Sequence, residues 1–391
     1  MRIVDICAFY TPAGGGVKTY IDRKLRASSA AGHEMIIVAP STQPRTEIVS
    51  PYARIEYIAG KRFPLDPRYC MFSDEAALHA TLDALRPDIV EMSSPWQSAS
   101  MVARWRSPVP RTLVMHADPL SAYAYRWFGT LASRETIDRG FGWFWRHLRR
   151  LHLSYDHFLV ANEGLASRLR AGGIGNVVLN PMGVEDGIFS PGLRSAGLRR
   201  EMLRLCNLDE GGTLLVAAGR LAAEKRVPML VDAVTRVGYK QPVGLLLLGE
   251  GRAQAEVERA IGGNPHVCLM PPIRDRDIFA RWLASADGLL HGCEAETFGM
   301  VAVEARASGL PMIVPDGGGA PDQLMAGAGY RYSSANPQSL DRAIRRFLRA
   351  DRDTMQLAAR DAASTVRSMD MHFETLFRDY RSLLNARRHA A

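Results

Sequence analysis

The chain has 391 residues, 47% of them hydrophobic and 23% charged, with a formal net charge of +8 and a pI near 9.4. That length suffices for two domains of ordinary size, and the composition excludes a disordered or fibrous chain. No apolar run approaches the roughly 20 residues of a membrane helix, while the excess of cations points to anionic partners: nucleotide phosphates, nucleic acid or an acidic membrane surface.

The first residues, Met1-Arg2-Ile3-Val4-Asp5-Ile6-Cys7, read as a buried strand rather than a signal peptide. Asp5 interrupts the apolar run, and no small-residue cleavage site follows. Further strands are expected over residues 35–38, 55–58, 89–92, 112–115, 158–160 and 177–179, with helical segments between most of them. The rhythm resumes at 214–217, 245–248, 267–269, 288–290 and 312–314. Such βαβ alternation predicts two doubly wound α/β domains, each a parallel sheet covered on both faces. They are expected to face each other across a cleft, with the ligand at the carboxyl ends of the strands. The domain boundary is placed at 185/186: residues 1–185 form the first domain and 186–370 the second. Pro191 and Gly192 interrupt the chain there, and a short basic helix, 198–205, precedes the new strand. Residues 371–388 carry Phe373, Leu376, Phe377, Tyr380, Leu383 and Leu384 at helical spacing. The five cysteines, at 7, 70, 206, 268 and 293, show neither CxxC nor His/Cys spacing, so they read as core residues of a protein in a reducing cytoplasm.

Four stretches could carry chemistry. Gly14, Gly15 and Gly16 follow the first strand and open a helix; glycines let backbone approach a ligand, or simply turn the chain. His116 ends a strand, with Asp118 nearby. Arg220 and Lys225 follow the first strand of the second domain and suit a diphosphate, though a solvated basic turn would look alike. Lastly, Glu294-Ala-Glu296-Thr-Phe298-Gly299-Met300-Val301-Ala-Val-Glu304 runs from a strand through a turn into a helix, expected to stop at Gly309 before Pro311. The unpaired N–H groups at that helix start would attract an anion. The bland alternative is a helix-start charge at Glu296 and a surface residue at Glu304.

These residues stand together as Glu-x-Phe-Gly-x-x-x-x-Glu-Ala followed by Ser-Gly-x-Pro, with Gly-Arg-Leu-x-x-Glu-Lys at 219–225, Asn180-Pro-Met-Gly183-Val184-Glu185, Gly249-Glu250-Gly251 and Gly32-His33. The set resembles the retaining, nucleotide-sugar-dependent glycosyltransferases of family four, which have the two-domain GT-B fold. The resemblance implies that Arg220 and Lys225 bind the donor diphosphate, assisted by the backbone at Phe298–Val301. It further implies that Glu296 contacts the sugar, that Glu304 holds the ribose, and that backbone at Ile273 clasps the base. His116 would contact the transferred sugar, the glycine loop would lie near the phosphates, and the C-terminal helix would cross back onto the first domain. Neither a metal nor another cofactor is implied; a UDP-linked hexose is the expected donor. Glu185, and His291-Gly292-Cys293 in place of Pro-Ser, depart from the family pattern.

The acceptor is read from residues 126–150. Three of the six tryptophans and six arginines fall there, against only Glu135 and Asp138. This suits a helix resting on an anionic bilayer, or an amphipathic helix whose aromatics are core. The surroundings of His116 and of Asn180 also resemble enzymes that glycosylate diacylglycerol, including sulfoquinovosyl transferases. A lipid acceptor at the inner face of the membrane is therefore expected, ahead of a soluble or polyprenyl-linked saccharide. Two more distant alternatives are an epimerase on the same scaffold and a nucleic-acid-binding protein. The second lacks any recognisable nucleic-acid module, and no nucleic-acid partner is expected.

Overall fold

The computed structural model describes residues 1–11, 16–64, 69–116, 118, 120, 124 and 133–390. The chain divides into two compact units. The first holds Met1–His116, Ala132–Pro181 and Asp370–Ala391; the second holds Ala117–Leu131 and Met182–Met369.

In the first unit the strands are β1 Arg2–Ile6, β2 Glu34–Ser41, β3 Arg45–Ser50, β4 Ala53–Arg62, β5 Cys70–Phe72, β6 Ile89–Met92, β7 Arg111–Val114, β8 His157–Val160 and β9 Val177–Leu179. They lie in the order β3-β4-β2-β1-β6-β7-β8-β9, with β5 also paired to β4. All pairings are parallel except those of β3 and β5 with β4. The central strands are buried on both faces, which is why they read as near-continuous apolar runs. β3 escaped the sequence reading. Five of its six residues are exposed at the sheet edge, so no apolar alternation marks it. The helix Met369–Ala390 buries Phe373, Leu376, Phe377 and Tyr380 in this unit, and Tyr380 reaches the β6 side chain Glu91.

The second unit is built on β10 Thr213–Ala218, β11 Val243–Leu248, β12 Val267–Met270, β13 Gly288–Leu290, β14 Met312–Pro315 and β15 Gly329–Tyr332. Their order is β12-β11-β10-β13-β14-β15, all parallel. The doubly wound α/β class expected from the alternation is thus what both units show. In each sheet the strand order reverses beside the first strand: between β1 and β6 in one, between β10 and β13 in the other. Such switch points leave a crevice at the carboxyl ends of the strands, where α/β proteins place their ligands.

The helix Gly142–His152 settles part of the aromatic–arginine stretch. Phe144, Trp145, Leu148 and Leu151 are buried. Trp143, Arg146, Arg149 and Arg150 are exposed. Two of its aromatics are therefore core residues, not membrane anchors, because a 3.6-residue period puts them on the inward face. Residues 126–128 lie outside the described residues. Among the described residues no helix is long and apolar enough to cross a membrane.

Candidate active site

The second unit gathers its polar side chains at the β10/β13 switch point. After β10 the chain passes through Gly219 and Arg220 into a single turn, Ala223–Lys225. This path is pinned to the turn after β11 by hydrogen bonds from Gly219 N to the Leu248 carbonyl (3.0 Å) and from Leu221 N to the Glu250 carbonyl (2.9 Å). A Cβ on Gly249 would stand 2.0 Å from the Gly219 carbonyl oxygen, so only glycine permits that approach. The crevice is lined by Gly219, Arg220, Leu221, Lys225, His291 and Gly292.

From β13 the chain runs through His291 to Glu296 and into the helix Met300–Ala307. Gly299 caps that helix with a φ of 80°, a left-handed conformation that lets the chain turn sharply into it. No side chain occupies the cap, so the first helical N–H groups are presented at the loop. Phe298 is buried beneath, and Met300 and Val301 are the first two helical residues. Ser308 closes the helix, and Gly309 follows with a φ of 64°.

Two ion pairs organise the carboxylates. Lys225 Nζ is bonded to Glu296, and Glu296 Oε2 also lies 3.6 Å from His291 Nε2. Glu304 is 4% exposed and accepts from Arg276 at 2.5 Å. Arg276 also reaches Glu185 at 3.1 Å, and its guanidinium stands 5.0 Å and 5.6 Å from the ring centres of Phe189 and Phe279. Neither carboxylate is thus a mere surface charge. Arg220 is different. Its side chain is 77% exposed and lies 3.6 Å from Glu224, leaving it mobile enough to meet a ligand. Ile273 is half-buried in the loop between β12 and the helix Arg276–Ser285.

Burial pulls the Lys225 ammonium down from its usual value, against the opposing pull of Cys293 and Glu224. Burial, reinforced by the Lys225 charge, lowers His291 to about 3. His116 belongs to the first unit, one residue beyond Met115, and burial lowers it to about 4 against the attraction of Glu91. Both imidazoles are therefore neutral at pH 7. An unfolded histidine takes up its proton near pH 6.5, so below that pH the unfolded chain binds protons that the folded one refuses. Stability should fall as pH drops from about 6.5 towards 4, by up to about 1.4 kcal/mol per pH unit for each imidazole. Urea denaturation at pH 7.5 and 5.5 checks this; equal midpoints would be inconsistent with two histidines held neutral.

Of the other expected site residues, Gly16 opens the helix Gly16–Ala30 in the first unit, while Gly14 and Gly15 lie outside the described residues. Asp118 accepts from Leu120 N at 3.1 Å. The sequence reading missed Arg276 altogether. Nothing local signals it, since its partners are 28 and 91 residues away. It also overlooked two Asp-x-Asp stretches, at 275–277 and 351–353, a pattern often read as metal-binding. Asp275 and Asp351 instead cap helix starts, and among the described residues no group of three or more potential ligands is gathered.

The two parallel α/β sheets show the fold of the GT-B class of nucleotide-sugar transferases. Residues 14–186 match the model of Glycosyltransferase Family 4, and residues 212–350 match that of Glycosyl transferases group 1. The chain is a glycosyltransferase, and the two matches together span most of its length. It is 28% identical over 373 residues to the GDP-mannose-dependent alpha-(1-6)-phosphatidylinositol dimannoside mannosyltransferase of Mycobacterium tuberculosis, covering 93% of this chain and 92% of the relative. It is 25% identical to a sulfoquinovosyl transferase of Arabidopsis thaliana, over 92% of this chain and 69% of the relative. Among solved structures, sucrose-phosphate synthase from Thermosynechococcus elongatus superposes with a TM-score of 0.75 at 22% identity, covering 98% of this chain and 99% of that one. The nucleic-acid-binding alternative finds no support in these matches.

Proposed function

We propose that the protein moves a hexose, with retention of anomeric configuration, from a nucleoside diphosphate to a hydroxyl of a membrane lipid. The observation that carries this reading is the switch-point crevice lined by Arg220, Lys225 and His291, with Glu296 bonded to Lys225 and, three residues further along the chain, a helix start at Gly299 that no side chain caps. In the reaction the anomeric carbon–oxygen bond to the diphosphate breaks as the acceptor oxygen bonds to the same face. The acceptor's proton passes to a departing phosphate oxygen. Lys225, Arg220 and the helical N–H groups meet the growing negative charge on the diphosphate. Glu296 holds sugar hydroxyls and stabilises the cationic character of the ring. Glu304 takes the ribose hydroxyls, Ile273 contributes backbone to the base, and His116 contacts the transferred sugar. Two carboxylates can also serve a hydrolase, but here each is paired with a cation, Glu296 with Lys225 and Glu304 with Arg276, in surroundings suited to phosphate.

For the base, the sequence expectation is UDP. A GDP-mannose donor has the support of the mycobacterial relative's name, matched over 92% of that protein, and is the donor favoured here. Thermal-shift screening of GDP-mannose against UDP-glucose, UDP-galactose and the free nucleotides tests it. Stabilisation by GDP-mannose and GDP is expected; a response to UDP compounds alone would restore the sequence expectation. Stabilisation by none of them would remove the whole reading.

The lipid acceptor is supported by the mycobacterial relative's name and by the exposed face of the helix Gly142–His152. Charge reversal at Arg146, Arg149 and Arg150 together should weaken sedimentation with phosphatidylglycerol vesicles at least about tenfold, since each surface cation contributes roughly 1 kcal/mol. Binding that ignores the reversal would remove the membrane contact and favour a saccharide acceptor.

A further inference from the structure

The second unit carries a cationic face that the proposed reaction does not use. Residues 331–360 hold seven arginines against three aspartates, a surplus of four out of the chain's net +8. Four of these arginines, Arg342, Arg345, Arg346 and Arg349, lie in the helix Pro337–Arg349. Steps of three, four and seven from Arg342 put them on one stripe. Leu340, Ala343, Ile344 and Phe347 are buried along the opposite side. The stripe therefore looks outward: Arg342, Arg346 and Arg349 are exposed, and Arg345 is half-buried.

No carboxylate answers it. Among the described residues Arg342, Arg345 and Arg349 have neither an ion pair nor a hydrogen-bond partner. Arg346 stands over the Tyr330 ring, 4.7 Å from its centre. The helix's one acid, Asp341, is taken by Arg236, which donates to both of its oxygens at 2.9 Å. Asp351 caps the next helix. Like charges at these spacings weaken a helix. The helix dipole offsets this for Arg346 and Arg349 in the last turn, but not for Arg342.

Beside the stripe lies an open hollow of about 710 Å³, lined by Leu324, Met325, Tyr330, Arg331, Arg346 and Thr354. Arg346 belongs to both. Two guanidinium groups beside aliphatic side chains suit a phosphate ester joined to hydrocarbon. A nucleic-acid strand would call for aromatic faces on which its bases could stack, and the Tyr330 ring is already covered by Arg346.

We propose that the arginine stripe and this hollow form a docking surface for an anionic phospholipid bilayer, with Arg342, Arg345, Arg346 and Arg349 taking headgroup phosphates. A guanidinium grips a phosphate through two parallel hydrogen bonds and keeps its charge throughout the physiological pH range. The inference deepens the lipid-acceptor reading and rests on it for the choice of a bilayer among polyanions. It gives the second unit a membrane contact of its own, besides that of the helix Gly142–His152 in the first.

Sedimentation of the full chain with phosphatidylcholine vesicles, with and without phosphatidylglycerol, tests it. The wild type should bind only the anionic vesicles, and added salt should release it. Arg342→Glu, Arg345→Glu and Arg349→Glu together should weaken that binding at least about tenfold, while the thermal shift given by the donor stays as in the wild type. Arg346 is left in place because it also packs on Tyr330. Should the triple reversal fail to fold, Arg342→Gln, Arg345→Gln and Arg349→Gln together keep the test, with a smaller loss in the same direction. Anionic binding unchanged by the triple variants would overturn the proposal. So would loss of poly(U) RNA binding with vesicle binding intact, which would make the face a nucleic-acid surface. If only the reversal at Arg146, Arg149 and Arg150 weakens sedimentation, this inference fails and the lipid-acceptor reading stands. If the wild type ignores anionic vesicles, both membrane contacts fail.

Discussion

Replacing Lys225 with alanine should reduce kcat by about a hundredfold or more, the loss seen when one fixed donor to a developing anion is removed. The reason is specific to its place. Lys225 is held by the turn after β10, its ammonium is bonded to Glu296, and it has already shed most of its water. A cation so fixed needs little reorganisation when negative charge grows on a leaving phosphate, and it acts in surroundings that weaken screening. Lys225→Arg should recover part of the rate, because charge returns while the planar fork fits the ammonium's place poorly. Steady-state transfer with the donor chosen by thermal shift measures both. An alanine variant within threefold of wild type would mean that the leaving group is neutralised elsewhere. Arg220 should matter less than Lys225, since its exposed side chain must be ordered by the ligand it binds.

The largest effect on stability is expected from Lys24→Met. Lys24, Asp5 and Glu91 are all completely buried, and one ammonium faces two carboxylates. Burial alone would depress the Lys24 ammonium, but the two carboxylates outweigh it and raise its pKa. Methionine matches the chain's length and removes the charge, leaving two buried acids without a counterion. Breaking a buried ion cluster in this way costs roughly 3–5 kcal/mol. Burial also raises Glu91, so that acid is the readier to take a proton in the variant. Adding Glu91→Gln to Lys24→Met should therefore return a good part of the loss. Urea titrations at pH 7.5 check both. A single variant within about 1 kcal/mol of wild type, the ordinary cost of an average substitution, would show that the charges are dispensable.

Most of the sheet framework was legible because buried parallel strands must be apolar on both faces, and little else in a sequence looks like 245–248 or 35–38. The helix after β13 was legible too, since Gly309 and Pro311 can only end one. What stayed hidden depends on partners far along the chain. Lys24 lies in a helix that also carries Lys18 and Arg23, and no spacing rule says which of them turns inward. Arg276 reads as an ordinary helix-start cation until the fold sets it between Glu304 and Glu185. Ser93 has no signature at all; only the adjacency of β1 and β6 gives it Asp5 on one side and His116 on the other. Strands supply the addresses, and the chemistry is written by what the crossovers bring to them.

The helix Met369–Ala390 has a consequence for how the polypeptide is made. It plugs the first unit with Phe373, Leu376, Phe377 and Tyr380, although nearly 190 residues of the second unit are translated in between. On the ribosome the first sheet must therefore wait, with part of its core uncovered, while the second unit completes itself. The amino-terminal half can close only once residues 369–390 have been made, so deleting that helix should damage the oldest part of the nascent chain rather than the newest.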